Sequence, residues 1–401
     1  MNYQSTISDP VLPQPSTEAL RHSNLLVQRI RARMQANGPM PFADFMHLAL
    51  YEPELGYYMA GLHKFGAAGD FVTAPEISPL FSFCLAAQCM EVMQYLPGAS
   101  ILEIGAGSGV MAADILSYLA DKNCLPKNYF ILELSAELRQ RQQTLLHARV
   151  PQHAGRVRWL SSLEDLDFQG VVLANEVLDA MPVNRFYCGA DGITEMCVYT
   201  SAAAEGFVWT TQALQPRLQQ ALDQIQRDLG CVFSQGYVSE VNLAIHPWLA
   251  ALNRVLRAGI VLIVDYGYPR TEYYHPERGM GTLSCHYRHR MHNDPLVLVG
   301  LQDITAFVDF STVAVAAETA GYEIGGFIDQ AGFLLNCGIE NMCAQKLALA
   351  ANTQVQLQWT QQLKTLLLPA EMGERFKVLA LHKAYNRALA GFGAADQRHR
   401  L

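Results

Sequence analysis

The segment Ile101-Leu-Glu-Ile-Gly-Ala-Gly-Ser-Gly109 constrains this chain more than any other. A short apolar run reads as a buried strand, three glycines follow at 105, 107 and 109, and Val110–Leu119 has helical periodicity. Strand, glycine turn and helix together bring backbone N–H groups and bare Cα surface against a ligand that needs close approach. The ligand could be NAD, FAD, a nucleoside triphosphate or S-adenosylmethionine. A dinucleotide fingerprint, G-x-G-x-x-G, requires glycine at its sixth position, where Val110 stands, and a P-loop requires Gly-Lys-Ser/Thr. Glu103, two places before the first glycine, suits a cofactor carrying an ammonium and a sulfonium better than one carrying a pyrophosphate.

Apolar runs at Tyr129–Leu134, Val157–Leu160, Val171–Ala174 and Ile260–Gly267 follow, the first pair separated by a helical stretch at Ser135–Val150. Alternating strands and helices predict a parallel sheet covered on both faces, with ligands beyond the carboxyl ends of its strands. Between the runs at 171 and 260 lies an insert of three alternating segments, Arg185–Gly189, Ile193–Thr200 and Gly206–Thr210, with helices near 212–229 and 242–257. A second interval, 268–310, is rich in Pro, Gly, His, Arg and Tyr and lacks periodicity, which suits a substrate-facing loop. The chain ends in a strand (322–329), a helical insert and a last strand (376–381). The N-terminus offers an amphipathic helix over 17–36 and a second over 41–50.

The expected division is a flexible tail at 1–15 and an N-terminal helical region with a covering loop at 16–95. A core at 96–335 follows, carrying an inserted meander (about 183–211) and the 268–310 loop, then a helical insert and final strand at 336–401.

The residues past each strand end carry the candidate chemistry. Glu133 is placed to accept both hydroxyls of a ribose, with Leu134 beside it. Asn175-Glu-Val-Leu-Asp-Ala-Met-Pro182 supplies polar acceptors where amino-directed methyltransferases hold the nucleophilic nitrogen. Glu176 and Asp179 are three apart; on a helix they share a face and can grip a cationic nitrogen group, or they merely favour a helix N-terminus. Asp265 and Tyr266 follow the next strand, and Glu240 is a further candidate on the insert.

Taken in order, Gly69-Asp-Phe-Val-Thr-Ala-Pro-Glu-Ile-Ser78, Glu103–Gly109, Asn175–Pro182, Asp265-Tyr-Gly267 and Asp303-Ile-Thr-Ala-Phe-Val-Asp-Phe310 resemble the MidA family of S-adenosylmethionine-dependent methyltransferases. The resemblance runs from about Gly38 to Leu379 and looks like that of a bacterial-type member. It implies a Rossmann-like seven-strand α/β sheet with an inserted meander and helical subdomain. Mitochondrial members methylate an arginine of a respiratory complex I subunit during assembly, so the resemblance implies a protein-arginine N-methyltransferase. By the same resemblance the glycine loop (Glu103, Gly105, Gly107) and Glu133 would hold the cofactor, and the loop with Gly69, Asp70, Thr73 and Pro75 would close over it. From their places past the strand ends, Leu134 and Asn175 are added as cofactor contacts, Glu176 and Asp179 as catalytic, and Asp265 and Tyr266, with Glu240 of the insert, as facing the protein substrate.

A small-molecule methyltransferase on the same scaffold and a cofactor-binding assembly chaperone with little turnover remain open. A nicotinamide dehydrogenase predicts a glycine at 110 and a proton relay that the chain lacks.

With 50% hydrophobic and 16% charged residues, 401 positions suffice for a large core. A net charge of −8 argues against general nucleic-acid or anionic-membrane binding. A local basic stretch, Arg288–His292, reads as a patch or a solvated loop. Nine scattered cysteines without C-x-x-C argue against zinc and against a disulfide framework. The absence of a membrane-spanning run or an apolar leader makes a cytoplasmic location the expectation, with no metal. The inserts are consistent with a homodimer.

Overall fold

The computed structural model describes residues 12–60, 72–200 and 206–401. The chain divides into two compact units, each drawn from three segments: 1–71, 180–244 and 274–306 in one, 72–179, 245–273 and 307–401 in the other. These units cut across the contiguous segments read from the sequence, because the N-terminal helices, the meander and the 274–306 stretch share one apolar core.

The larger unit is built on a sheet whose strands we number β1 (Ser100–Ile104), β2 (Tyr129–Leu132), β3 (Val157–Leu160), β4 (Phe168–Asn175), β5 (Leu256–Tyr268), β6 (Glu323–Asp329) and β7 (Phe376–Lys383). Their spatial order is 3-2-1-4-5-7-6, with β1 to β5 parallel and β7 antiparallel to both neighbours. The order reverses between β1 and β4, and that is where a doubly wound sheet takes its ligand. Every residue of β1 is buried, as expected of a parallel strand covered on both faces. Helix α1 (Pro79–Tyr95) starts at Ser78, whose hydroxyl accepts from the Leu80 N–H, with Pro79 at its first position. Helix α2 (Val110–Asp121) buries Met111, Ile115, Leu116 and Leu119, and α3 (Ala136–Arg149) is capped by Ser135, whose Oγ accepts from the Leu138 N–H.

Strands β1, β4 and β5 run together through two glycines. Gly170 and Gly259 both have φ of +138°, and they face each other in register. A Cβ on Gly259 would lie 1.8 Å from the Gly170 carbonyl oxygen, and one on Gly170 would lie 2.0 Å from that of Ser100. Gly259→Ala is therefore expected to cost about 3 kcal/mol or more of stability. Urea unfolding checks it, and a loss below about 1 kcal/mol would contradict the packing.

In the smaller unit, Asn184–Gly189 pairs on one side with Val238–Val241 and on the other with Gly192–Thr200. The last of these also pairs Phe207–Gln212 and Met40–Pro41. Helices Thr17–Asn37 and Phe42–Tyr51 supply Leu26, Ile30, Phe42 and Phe45 to the core shared with Val198, Cys285 and Ile304. The interval expected to be irregular contains a small antiparallel sheet of Ser284–Tyr287, Arg290–His292 and Asp303–Thr305. Its hairpin turns on Arg288 and His289, both with left-handed φ (48° and 59°), where Asn or Gly is the usual signal. Cys285–His292 is thus a hairpin, with the Arg288 guanidinium over the Tyr287 ring.

Candidate active site

The glycine turn follows β1 as read. Gly105, Gly107 and Gly109 have φ of 66°, 52° and 86°, the left-handed region that side chains avoid. Gly105 is exposed, and a Cβ on it would meet only Val177 Cγ2, 3.6 Å away. A Cβ on Gly109 would press on Gln142 of α3 at 3.2–3.3 Å, so the third glycine permits close helix packing. Ser108 Oγ accepts from the Val110 N–H and donates to the Glu76 carboxylate, tying the Ala74–Ile77 helical turn to the glycine turn. Thr73 precedes that turn and Pro75 is buried within it. Gly69 and Asp70 lie outside the described residues.

Glu133 stands immediately beyond β2. Its Oε1 accepts from the Ser135 N–H at 2.9 Å and its Oε2 from Gln142 Nε2 at 2.9 Å, while Leu134 beside it is exposed. Glu103 is buried and accepts from the Tyr129 hydroxyl at 2.6 Å. Burial pushes its carboxyl up to about 7; the Tyr129 hydrogen bond opposes this and the Glu133 charge adds to it. A carboxyl raised by folding adds stability that is complete below its ordinary value of 4.5 and is lost as pH rises through about 7, on the order of 3 kcal/mol in all. Glu103→Gln is expected to flatten the fall in Tm between about pH 5 and pH 8. A thermal-melt series reads the slope, and an unchanged slope would contradict this environment for Glu103.

The stretch after β4 is a turn, so Glu176 and Asp179 do not share a helix face. Glu176 has a left-handed φ of 51°, and its N–H donates to the Val264 carbonyl at 2.9 Å. Asp265, expected to face substrate, is fully buried: Oδ2 accepts from the N–H groups of Leu178 (2.9 Å) and Asp179 (3.2 Å), and Oδ1 from that of Tyr266 (2.9 Å). It gathers the N–H groups of the acidic turn from within the core. Burial, then Asp179 and then Glu176, raise its carboxyl well above the usual range, with the backbone hydrogen bonds opposing.

The Tyr266 hydroxyl donates to Asp179 Oδ2, and its ring packs edge-on against Phe307 and Phe376. Tyr266 thus reaches the site through Asp179. Asn175, the last residue of β4, donates from Nδ2 to Glu176 Oε1 at 3.3 Å, and its buried Oδ1 has no hydrogen-bond partner among the described residues.

Glu240 is held by a separate set of partners. It lies in the smaller unit, where Oε1 pairs with the Arg185 guanidinium at 3.2 Å and Oε2 accepts from Thr282 N and Oγ1 at 2.8 and 3.2 Å. Arg185 also lies over the Trp209 ring. A buried carboxylate so engaged braces the smaller unit.

Glu76, Glu133 and Asn175 bring acceptors to the glycine turn, and the Arg139 guanidinium lies on the backbone carbonyls of Glu133 and Leu160. That acceptor set fits a cofactor with a cationic amino-acid end and a ribose. A family model described as "Putative S-adenosyl-L-methionine-dependent methyltransferase" matches residues 84–328. The chain belongs to this family. The methyltransferase is also similar to a Burkholderia thailandensis protein described as a "likely methyl transferase" and solved with S-adenosyl-homocysteine bound. Identity is 40%, with 97% of this chain and 100% of that one covered at a TM-score of 0.91. Curated relatives include the mitochondrial protein arginine methyltransferase NDUFAF7 homolog of Drosophila melanogaster, 29% identical over 92% of this chain and 87% of its own. The human NDUFAF7 protein is 27% identical over 94% and 86%. The methyltransferase reading of the sequence and its α/β sheet agree with these findings.

Gln142, Trp159 and the Glu76–Ser108 link were not singled out from the sequence. Gln142 and Trp159 carry no motif, and only the folded α3 and β3 bring them to the site.

Proposed function

We propose that this methyltransferase transfers a methyl group to a guanidinium nitrogen of an arginine in a protein. The observation that carries the reading is the acidic turn beyond β4, where Glu176 and Asp179 both act on Asp265 and adjoin the glycine turn through Val177. The names of the curated relatives support it.

S-adenosylmethionine, when bound, supplies an electrophilic methyl on a sulfonium, which becomes a neutral thioether after transfer. Glu133 would hold the ribose, and the left-handed glycine turn would let the backbone approach. An arginine side chain arrives protonated, with a reference pKa of about 12.5 or higher. Glu176, half-buried on the turn, accepts from its N–H groups and turns one nitrogen toward the methyl, while the buried Asp179 beside it keeps negative charge close to the cation. Tyr266, donating to Asp179 Oδ2, holds that buried carboxylate in place. The nitrogen that gains the methyl sheds a proton, and the half-buried Glu176 carboxylate is placed to receive it. No covalent enzyme intermediate is required, and most of the rate comes from positioning and electrostatics.

Incubating the protein with methyl-labelled cofactor and a cell extract, then separating macromolecules from small molecules, tests the acceptor class. Label in polypeptide supports the proposal. Label confined to the small-molecule fraction favours the metabolite alternative.

A further inference from the structure

The geometry points to Gln142 as the positioning residue of the cofactor cradle, oriented by Trp159 and fixing the Glu133 carboxylate and the glycine turn together. This rests on the reading of Glu133 as the ribose acceptor. Gln142 lies mid-way along α3 and is completely buried. Its Nε2 donates to Glu133 Oε2 at 2.9 Å and to the Gly107 carbonyl at 3.0 Å, and its Oε1 accepts from Trp159 Nε1 at 2.9 Å.

These partners admit only one orientation of the amide. Indole nitrogen is purely a donor, so the amide oxygen must face Trp159. A carboxylate and a carbonyl are acceptors, so the NH₂ must face Glu133 and Gly107. A flipped amide would oppose two acceptors with an oxygen and a donor with a donor. The Ser135 N–H holds the other Glu133 oxygen, so the carboxylate is pinned at both ends.

The packing agrees. A Cβ on Gly109 would meet the Gln142 Cα and side chain at 3.2–3.3 Å, so the glycine allows α3 to come close enough for the amide to reach Gly107. One side chain thereby sets the distance between the ribose acceptor and the turn that receives the rest of the cofactor. A glutamate at 142 would face Glu133 with like charge, and a leucine would leave Trp159 Nε1 and the Gly107 carbonyl without these partners.

The test compares S-adenosylhomocysteine with its 2′-deoxy and 3′-deoxy ribose analogues by calorimetric titration of the wild type, Gln142→Leu, Trp159→Phe and Glu133→Gln. Wild type is expected to lose about tenfold or more in affinity when a ribose hydroxyl is removed, as for a hydrogen bond to a charged group. In Gln142→Leu that discrimination should collapse toward about onefold, and Trp159→Phe should lie between. If Gln142→Leu weakens all three ligands equally and keeps the wild-type discrimination, Gln142 is only structural and the inference fails. If wild type shows no discrimination and Glu133→Gln binds normally, the ribose reading of Glu133 fails, and the inference with it. Thermal melts confirm folding; should Gln142→Leu not fold, Trp159→Phe decides by the same criterion.

Discussion

Asp179→Asn is expected to lower methyl transfer by about 10²–10³-fold, with S-adenosylhomocysteine binding changed by less than about threefold. The asparagine keeps the shape of the side chain and the Asp179 N–H bond to Asp265, so the turn survives. What it removes is a charge placed where a cationic acceptor must be held, and that loss falls on the transfer step. Glu176→Gln should act in the same direction. Tyr266→Phe, which deletes only the hydroxyl donated to Asp179, should cost about tenfold, because it loosens the carboxylate without discharging it. Single-turnover rates with saturating cofactor separate the three. Full activity in both Asp179→Asn and Glu176→Gln would remove the acidic turn from the acceptor site.

Gly107→Val is expected to weaken S-adenosylhomocysteine binding by about a hundredfold or more. At a φ of 52° a β-branched residue is a steric outlier, so the turn must change its backbone path. The Gly107 carbonyl would then leave Gln142, and Glu133 would lose part of its support. Gly107→Ala is the milder control, with a backbone cost of about 1–2 kcal/mol. Calorimetric titration reads the affinity, and a thermal melt shows that the variant is folded. Unchanged affinity in a folded Gly107→Val would dissociate the glycine turn from cofactor binding.

The parallel sheet was legible because its strands are unbroken apolar runs ending in polar residues, and Ile101–Gly109 declares its own turn. The acidic residues beyond β4 were legible as types, but their arrangement was not. Three-residue spacing suggests a helix, whereas Asp265, 86 positions from Asp179, instead gathers the turn by accepting its N–H groups. That long-range hydrogen bond has no local signature, and it moves Asp265 from the substrate side to beneath the site. Glu240 was a candidate from its place in the insert alone, and its partner Arg185, 55 positions away, is paired with it only by the strand register. The hairpin at Arg288-His289 was hidden because neither residue is a usual carrier of left-handed φ. Gln142 was hidden for a simpler reason: a glutamine on a helix is expected to face water, and this one is buried under the glycine turn.

The central claim is the identity of the methylated atom. Polypeptide labelled by the wild-type protein with methyl-tritiated cofactor should be hydrolysed to free amino acids and chromatographed beside an Asp179→Asn reaction. Label is expected in methylated arginine from the wild type and is expected to be nearly absent from the variant. Label in lysine, histidine or a carboxyl ester, or equal arginine labelling by both proteins, would contradict it.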